Sequence, residues 1–226
     1  MKNRIQDIAP FLASAFVDFE VNTKTEKEYL KLVTDNSHRL GVYGKYLGLL
    51  HDSWVIQTDV TKEKISITLN DFTTHVFADV INSRQKLKIK HDKLVFPIQL
   101  DFETIDLTFN TVDESGNVKR IEPTNINEYL YEQIISIDND MIEIGLVVWK
   151  DGINDECGQQ ILILMRVKSI ILTEFQDKAW EEIFGNTYDN YFNYFKTQLE
   201  TGRYLSDQSI CNELFDEFES QNIIDD

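Results

Sequence analysis

The chain has 226 residues, 42% of them hydrophobic, and carries a formal net charge of −17 from 39 acidic and 22 basic side chains. That apolar fraction is enough for a real core and excludes wholesale disorder, while the length allows one large domain or two small ones. The acidity disfavours nucleic acid and anionic membrane as partners, since phosphate contacts need clustered Lys and Arg, and it suits a basic protein instead.

The first zone, residues 1–50, reads as helical. Ile5, Ile8, Leu12, Ala15, Phe16 and Phe19 recur at three- and four-residue steps, the spacing of one helix face. Pro10 fits only in a first turn, where its missing N–H costs little. Lys2, Arg4 and Ala13-Ser14-Ala15 imitate a secretion signal. Asp7, however, leaves only Ile8 to Leu12 as an apolar run, shorter than the roughly 7 to 15 residues of a secretory core, so a buried amphipathic helix is expected. A second helix is expected from Thr25, with Glu28 completing a capping box. Tyr29, Leu32, Val33 and Leu40 supply its apolar face and Gly41 its end.

The middle zone, 51–173, is strand-rich. Trp54–Val60 and Lys64–Leu69 form a predicted hairpin through Thr61-Lys62-Glu63. Asp71 reads as the N-cap of a short helix carrying Phe72, Val76, Phe77, Val80 and Ile81 on one face. Leu94–Phe102 and Ile105–Val112 are predicted strands, and Val118–Ile121 returns after a turn at Asp113–Asn117. Ile134–Ile137 and Met141–Trp149 flank Asp138-Asn139-Asp140, another hairpin. Gln160–Leu172 is the best candidate for a central strand, because it is a long run rich in Ile and Leu.

The third zone, 174–226, is acidic and aromatic together, with 13 Asp or Glu against 3 Lys or Arg and 11 of the chain's 26 aromatic residues. Aromatics at helical spacing imply packed helices rather than a tail. One helix carries Phe175, Ala179, Trp180, Ile183 and Phe184 and stops at Gly185. A second carries Tyr188, Tyr191, Phe192, Phe195 and Leu199, and a third starts at Ser206. The acids between these residues form the solvated faces. The expected fold is α+β: one domain over 1–226, with a mostly antiparallel sheet of about seven strands flanked by N-terminal and C-terminal helices.

Motifs for chemistry are sparse. His51-Asp52 resembles the metal-binding pair of HD-type phosphohydrolases, but those enzymes place the pair on a helix with further ligands on other helices. Here it stands between a helix and a strand, and His38, His75 and His91 show no matching spacing. Gly41-x-x-Gly44-Lys45-Tyr46 lacks the four intervening residues and the Ser or Thr of a phosphate loop. Asp151–Glu156 lacks the order of an EF-hand. No nucleophile elbow, zinc pair or His-Glu-x-x-His occurs. Cys157 and Cys211 have no paired spacing and read as free thiols of a reducing compartment. No run approaches the ~20 apolar residues of a membrane helix.

Leu50-His51-Asp52-Ser53-Trp54-Val55, leading into a hairpin and further strands, resembles a β-rich domain of uncharacterised bacterial proteins over about residues 49–173. That resemblance implies no activity. The expectation is therefore a soluble, acidic, cytoplasmic bacterial protein, non-catalytic, with an interaction or regulatory role. No cofactor, metal or catalytic group is specified, and no pattern fixes an oligomeric state. One alternative is an immunity-type inhibitor of a basic toxin, in which Glu181, Glu182, Asp216, Glu217 and Glu219 would meet Lys or Arg of the partner. The other is an enzyme with an unrecognised site near His51.

Overall fold

The computed structural model describes residues 3–138, 140–152, 157–200, Glu213 and Asp216. Seven strands form one antiparallel sheet: β1 (Ser53–Val60), β2 (Lys64–Asn70), β3 (Pro97–Val112), β4 (Val118–Ile121), β5 (Glu128–Asp138), β6 (Met141–Lys150) and β7 (Gln159–Glu174). With the flanking helices this is the α+β architecture expected from the sequence. The order is β2-β1-β5-β6-β7-β3-β4, and a further β2–β3 pairing brings the sheet back on itself. Six strands thus follow one another in a ring, with β4 added beside the far half of β3. The β-bulges in the β1–β2, β3–β7 and β5–β6 pairs supply local bending of the kind such curvature needs.

The hairpin at Thr61-Lys62-Glu63 and the central placement of β7 follow the sequence reading. Two expected strands, Leu94–Phe102 and Ile105–Val112, are instead the single strand β3. Its register against β7 shifts between Glu103 and Asp106 without breaking the ladder. β5 also begins six residues before the expected Ile134, because Tyr129 and Leu130 bury beside Trp149 and Val148 of β6.

Period-two alternation places the main core on one face. Ile65, Ile67 and Leu69 of β2 meet Ile98, Leu100 and Phe102 of β3, and Ile144, Leu146 and Val148 of β6 join them, all fully buried. Each such side chain contributes roughly 1.5–3 kcal/mol of transfer free energy. The face is completed by α6 (Phe72–Arg84), α7 (Gln176–Phe184) and α8 (Tyr188–Glu200). Phe77, Phe96, Trp180, Phe184, Tyr194 and Phe195 pack there at ring separations of 4.8–6.1 Å. The aromatic residues of α7 and α8 therefore pack in the core, as their spacing predicts, whereas Phe175, expected on the same face, is 40% exposed. Gly185 ends α7 at φ +57°. The third predicted helix, from Ser206, lies outside the described residues except for Glu213 and Asp216, both helical.

The opposite face of β5–β7 is covered by the N-terminal segment. Ile5, Ala9, Leu12 and Ala13 bury against Leu130, Val147 and Leu162. The expected single helix is two turns, α1 (Ile5–Ile8) and α2 (Pro10–Ala13). Pro10 has no N–H to continue the ladder and drives Ala9 out of the helical region, to φ −142° and ψ 77°. The close approach depends on Gly145, where a Cβ would stand 2.8 Å from Leu12 Cδ1.

The next helix, α3 (Thr23–Asp35), is capped by Asn22, whose side chain accepts from the Thr25 backbone at 3.0 Å. The expected start at Thr25 is thus late by two residues, because Asn22 outcompetes the Thr25–Glu28 box. The helix also stops before Gly41: Asn36 breaks it, and α4 (Ser37–Leu40) and α5 (Tyr43–Tyr46) follow as short turns. No helix among the described residues is long and apolar enough to cross a membrane.

Candidate functional site

His51 and Asp52 lie in the turn between α5 and β1, and Asp52 takes a left-handed conformation at φ +60°. Their side chains meet each other, His51 Nδ1 to Asp52 Oδ2 at 3.0 Å. The next residues are anchored from below. Ser53 is fully buried and its Oγ accepts from the Phe72 backbone N–H, while Thr73 Oγ1 donates to the Leu49 carbonyl at 2.6 Å. These bonds set the start of α6 against the turn and satisfy helix groups that lack partners within the helix.

Beneath that junction Asp71 caps α6, accepting from the Thr73 backbone, from Thr74 Oγ1 and from Gln176 Nε2 of α7 at 2.7 Å. Burial pushes its carboxyl up to about 6, against the opposing pull of those hydrogen bonds. Asp71 has no solvent exposure, so it joins α6 to α7 rather than facing a ligand.

Trp54, at the first turn of β1, is the hub of an aromatic and imidazole cluster. Its ring stands edge-on to Phe72 at 5.9 Å, His75 at 5.1 Å and His91 at 6.3 Å. His51 lies 6.3 Å from Phe72 on the same side. His75 is buried and its Nδ1 lies 2.8 Å from the Leu94 carbonyl. A carbonyl only accepts, so Nδ1 carries the hydrogen. His75 Nε2 then faces His91 Nε2 at 2.7 Å. Burial is the main cause holding His75 below its ordinary value, with His91 adding to it. His75 and His91 therefore both stand against Trp54, and His51 reaches the cluster through Phe72. His75 and His91 are 16 residues apart, one on α6 and the other in the 3-10 turn before β3. No sequence motif has that spacing, so only the fold reveals the pair. Among the described residues no group of three or more His, Cys, Asp or Glu is arranged to hold a metal.

Trp54 also marks where the ring of strands comes apart. β1 pairs with β5 only at Ser53–Tyr129 and Trp54–Glu128, supplemented by the bond from Val55 N–H to the Asn127 carbonyl. From Ile56 to Val60 the outer edge of β1 pairs with no strand among the described residues. Its apolar side chains are unusually open, Trp54 40%, Ile56 52% and Val60 40% exposed, and Tyr131 of β5 is 48% exposed. The sequence predicts a strand over Trp54–Val60, but nothing in it says that one edge of that strand is open. Glu128 closes the junction. Its carboxyl is held above its usual range by burial first and then by Asp52 and Asp151, so carboxylates crowd this end of the seam.

The outer edge of β5 differs. α3 lies along it, with Tyr29 bonded to the Ile134 backbone. Gln133 accepts from the Phe11 N–H at 3.0 Å, and Arg39 donates to the Asp138 carbonyl. Behind this cover Glu132 accepts from the Gly48 N–H and from Tyr129. Glu132 keeps some solvent contact, but loss of hydration pushes its carboxyl up to about 7.

Three of the five acids expected to meet a partner are among the described residues. Glu181 and Glu182 are exposed on α7. Asp216 is exposed and already paired with Arg84 at the end of α6, at 2.5 Å. Glu217 and Glu219 lie outside the described residues. Glu181 and Glu182 thus stand on a helix, and the open edge belongs to a strand. No family model, curated protein or solved structure matches the chain.

Proposed function

We propose that the chain is a non-catalytic interaction or regulatory protein that takes an extended, cationic segment of a partner along the outer edge of β1. The edge from Ile56 to Val60, which pairs with no strand among the described residues, carries this reading. Such an edge offers backbone donors and acceptors to an added strand, and alternate side chains give selectivity. Trp54, Ile56, Val60 and Tyr131 supply the apolar contacts. Asp52, Glu128 and Asp151 at the mouth, within a chain of net charge −17, favour Lys or Arg in the partner. An immunity-type inhibitor of a basic toxin is the narrower form of the same reading, and it draws on that charge.

The test is a library of ten-residue peptides alternating β-branched residues with Lys or Arg, compared with acidic and scrambled versions by fluorescence anisotropy. Cationic peptides should bind, and binding should weaken as salt rises. The double variant Ile56→Lys/Val60→Lys should lose at least about tenfold in affinity, the equivalent of ~1.4 kcal/mol. Glu181→Lys/Glu182→Lys should leave affinity unchanged. Equal binding by the edge variant would refute the reading, and loss in the α7 variant alone would move the partner to the helix face.

A further inference from the structure

We infer that His75 and His91 form a two-histidine site for a borderline divalent transition-metal ion of the Zn²⁺, Ni²⁺ or Cu²⁺ class. This assignment stands independently of strand addition at β1. The two Nε2 atoms are 2.7 Å apart. Bonds of about 2.0–2.1 Å to one ion at tetrahedral or right-angled geometry separate two nitrogens by roughly 2.9–3.4 Å. The pair therefore needs to open by only a fraction of an ångström. His91 can provide that movement, because it is exposed and sits in a three-residue 3-10 turn. His75 provides the fixed half. Its Nδ1–H bond to the Leu94 carbonyl leaves the Nε2 lone pair directed outward, the second-shell arrangement that orients metal-bound imidazoles.

Imidazole pairs suit these ions, whereas Mg²⁺ and Ca²⁺ prefer oxygen ligands. Among the described residues no third His, Cys, Asp or Glu completes the set. Water fills the remaining positions, and the site is open to an exogenous donor. Trp54, with its ring 5.1 Å from His75, is a built-in reporter.

The experiment titrates nickel(II) chloride into the tag-free full chain, followed by calorimetry and tryptophan fluorescence. One ion per chain should bind saturably and quench emission. His91→Ala, an exposed change that leaves the fold intact by circular dichroism, should weaken binding at least about tenfold, and His75→Gln should do the same. Trp54→Phe should remove most of the quench while the calorimetric binding persists. His38→Ala and His51→Ala should bind as the parent does. Non-saturable binding, equal affinity in His91→Ala, or loss on His51→Ala instead would overturn the assignment.

Discussion

The ring of strands has two contrasting seams. Along one, Ile98 to Asn110 of β3 pairs with Leu162 to Glu174 of β7 nearly without interruption. Along the other, β1 and β5 meet at Ser53 and Trp54 and then separate. The difference lies in the side chains. β3 and β7 present Leu100, Phe102, Ile163 and Val167 to a common core, so separating them would expose apolar surface. β1 beyond Trp54 presents Ile56, Asp59 and Val60 to solvent, so closing the seam would gain little. Stability is concentrated at the first seam, and the second is the edge proposed above for recognition.

Four measurements break or sharpen that contrast. The largest effect belongs to the closed seam. Phe102 is fully buried with its ring edge-on to Tyr43 at 6.2 Å, so Phe102→Ala should cost about 3–5 kcal/mol in urea unfolding. Next is the polar junction that holds the helices over the core. Asp71→Ala removes a helix cap and strands Thr74 and Gln176 in the interior, for a loss of about 2 kcal/mol in the same assay.

The third measurement concerns pH. Asp71 and Glu132 hold protons in the folded chain up to about 6 and about 7, above their ordinary values of 3.8 and 4.5. The folded state then binds more protons than the unfolded state between those limits, so their contribution to stability falls as pH rises through this window. Glu132→Gln removes one of the two. Its stability relative to the parent should therefore rise between about pH 4.5 and pH 7, and a flat difference would show that Glu132 is well hydrated. The smallest effect belongs to the open seam. Ile56→Lys/Val60→Lys should change unfolding free energy by no more than about 0.5 kcal/mol, although the same change is expected to weaken peptide binding at least about tenfold.

The sequence made most of this fold legible wherever a local rule and the tertiary environment agree. Asp71 caps a helix and Gly185 ends one, as their chemistry predicts. The Ile- and Leu-rich run in β7 is central. The reading erred where a neighbour in space decided the outcome. Pro10 is the exception, since the break there is the local effect of its missing N–H and it opens a second helix at its first turn. The strands on either side of Thr104 read as two but are one, because β7 runs alongside both.

The candidate site was less legible. His51-Asp52 drew attention as a sequence pair, yet its neighbours across space are Phe72 and, beyond it, Trp54, His75 and His91. An open strand edge also has no signature in sequence, because it is defined by the absence of a neighbour.

The position of β7 has a consequence for synthesis. β3 is complete at Val112, with one edge lined by β2 and later β4, but its other edge is closed only by residues 162–174. At translation rates of roughly 5–20 residues per second, a strand of sixteen residues waits several seconds on the ribosome beside an apolar gap. During that interval β3 presents an unpaired edge to any wrong neighbour, the kind of segment that a chaperone shields.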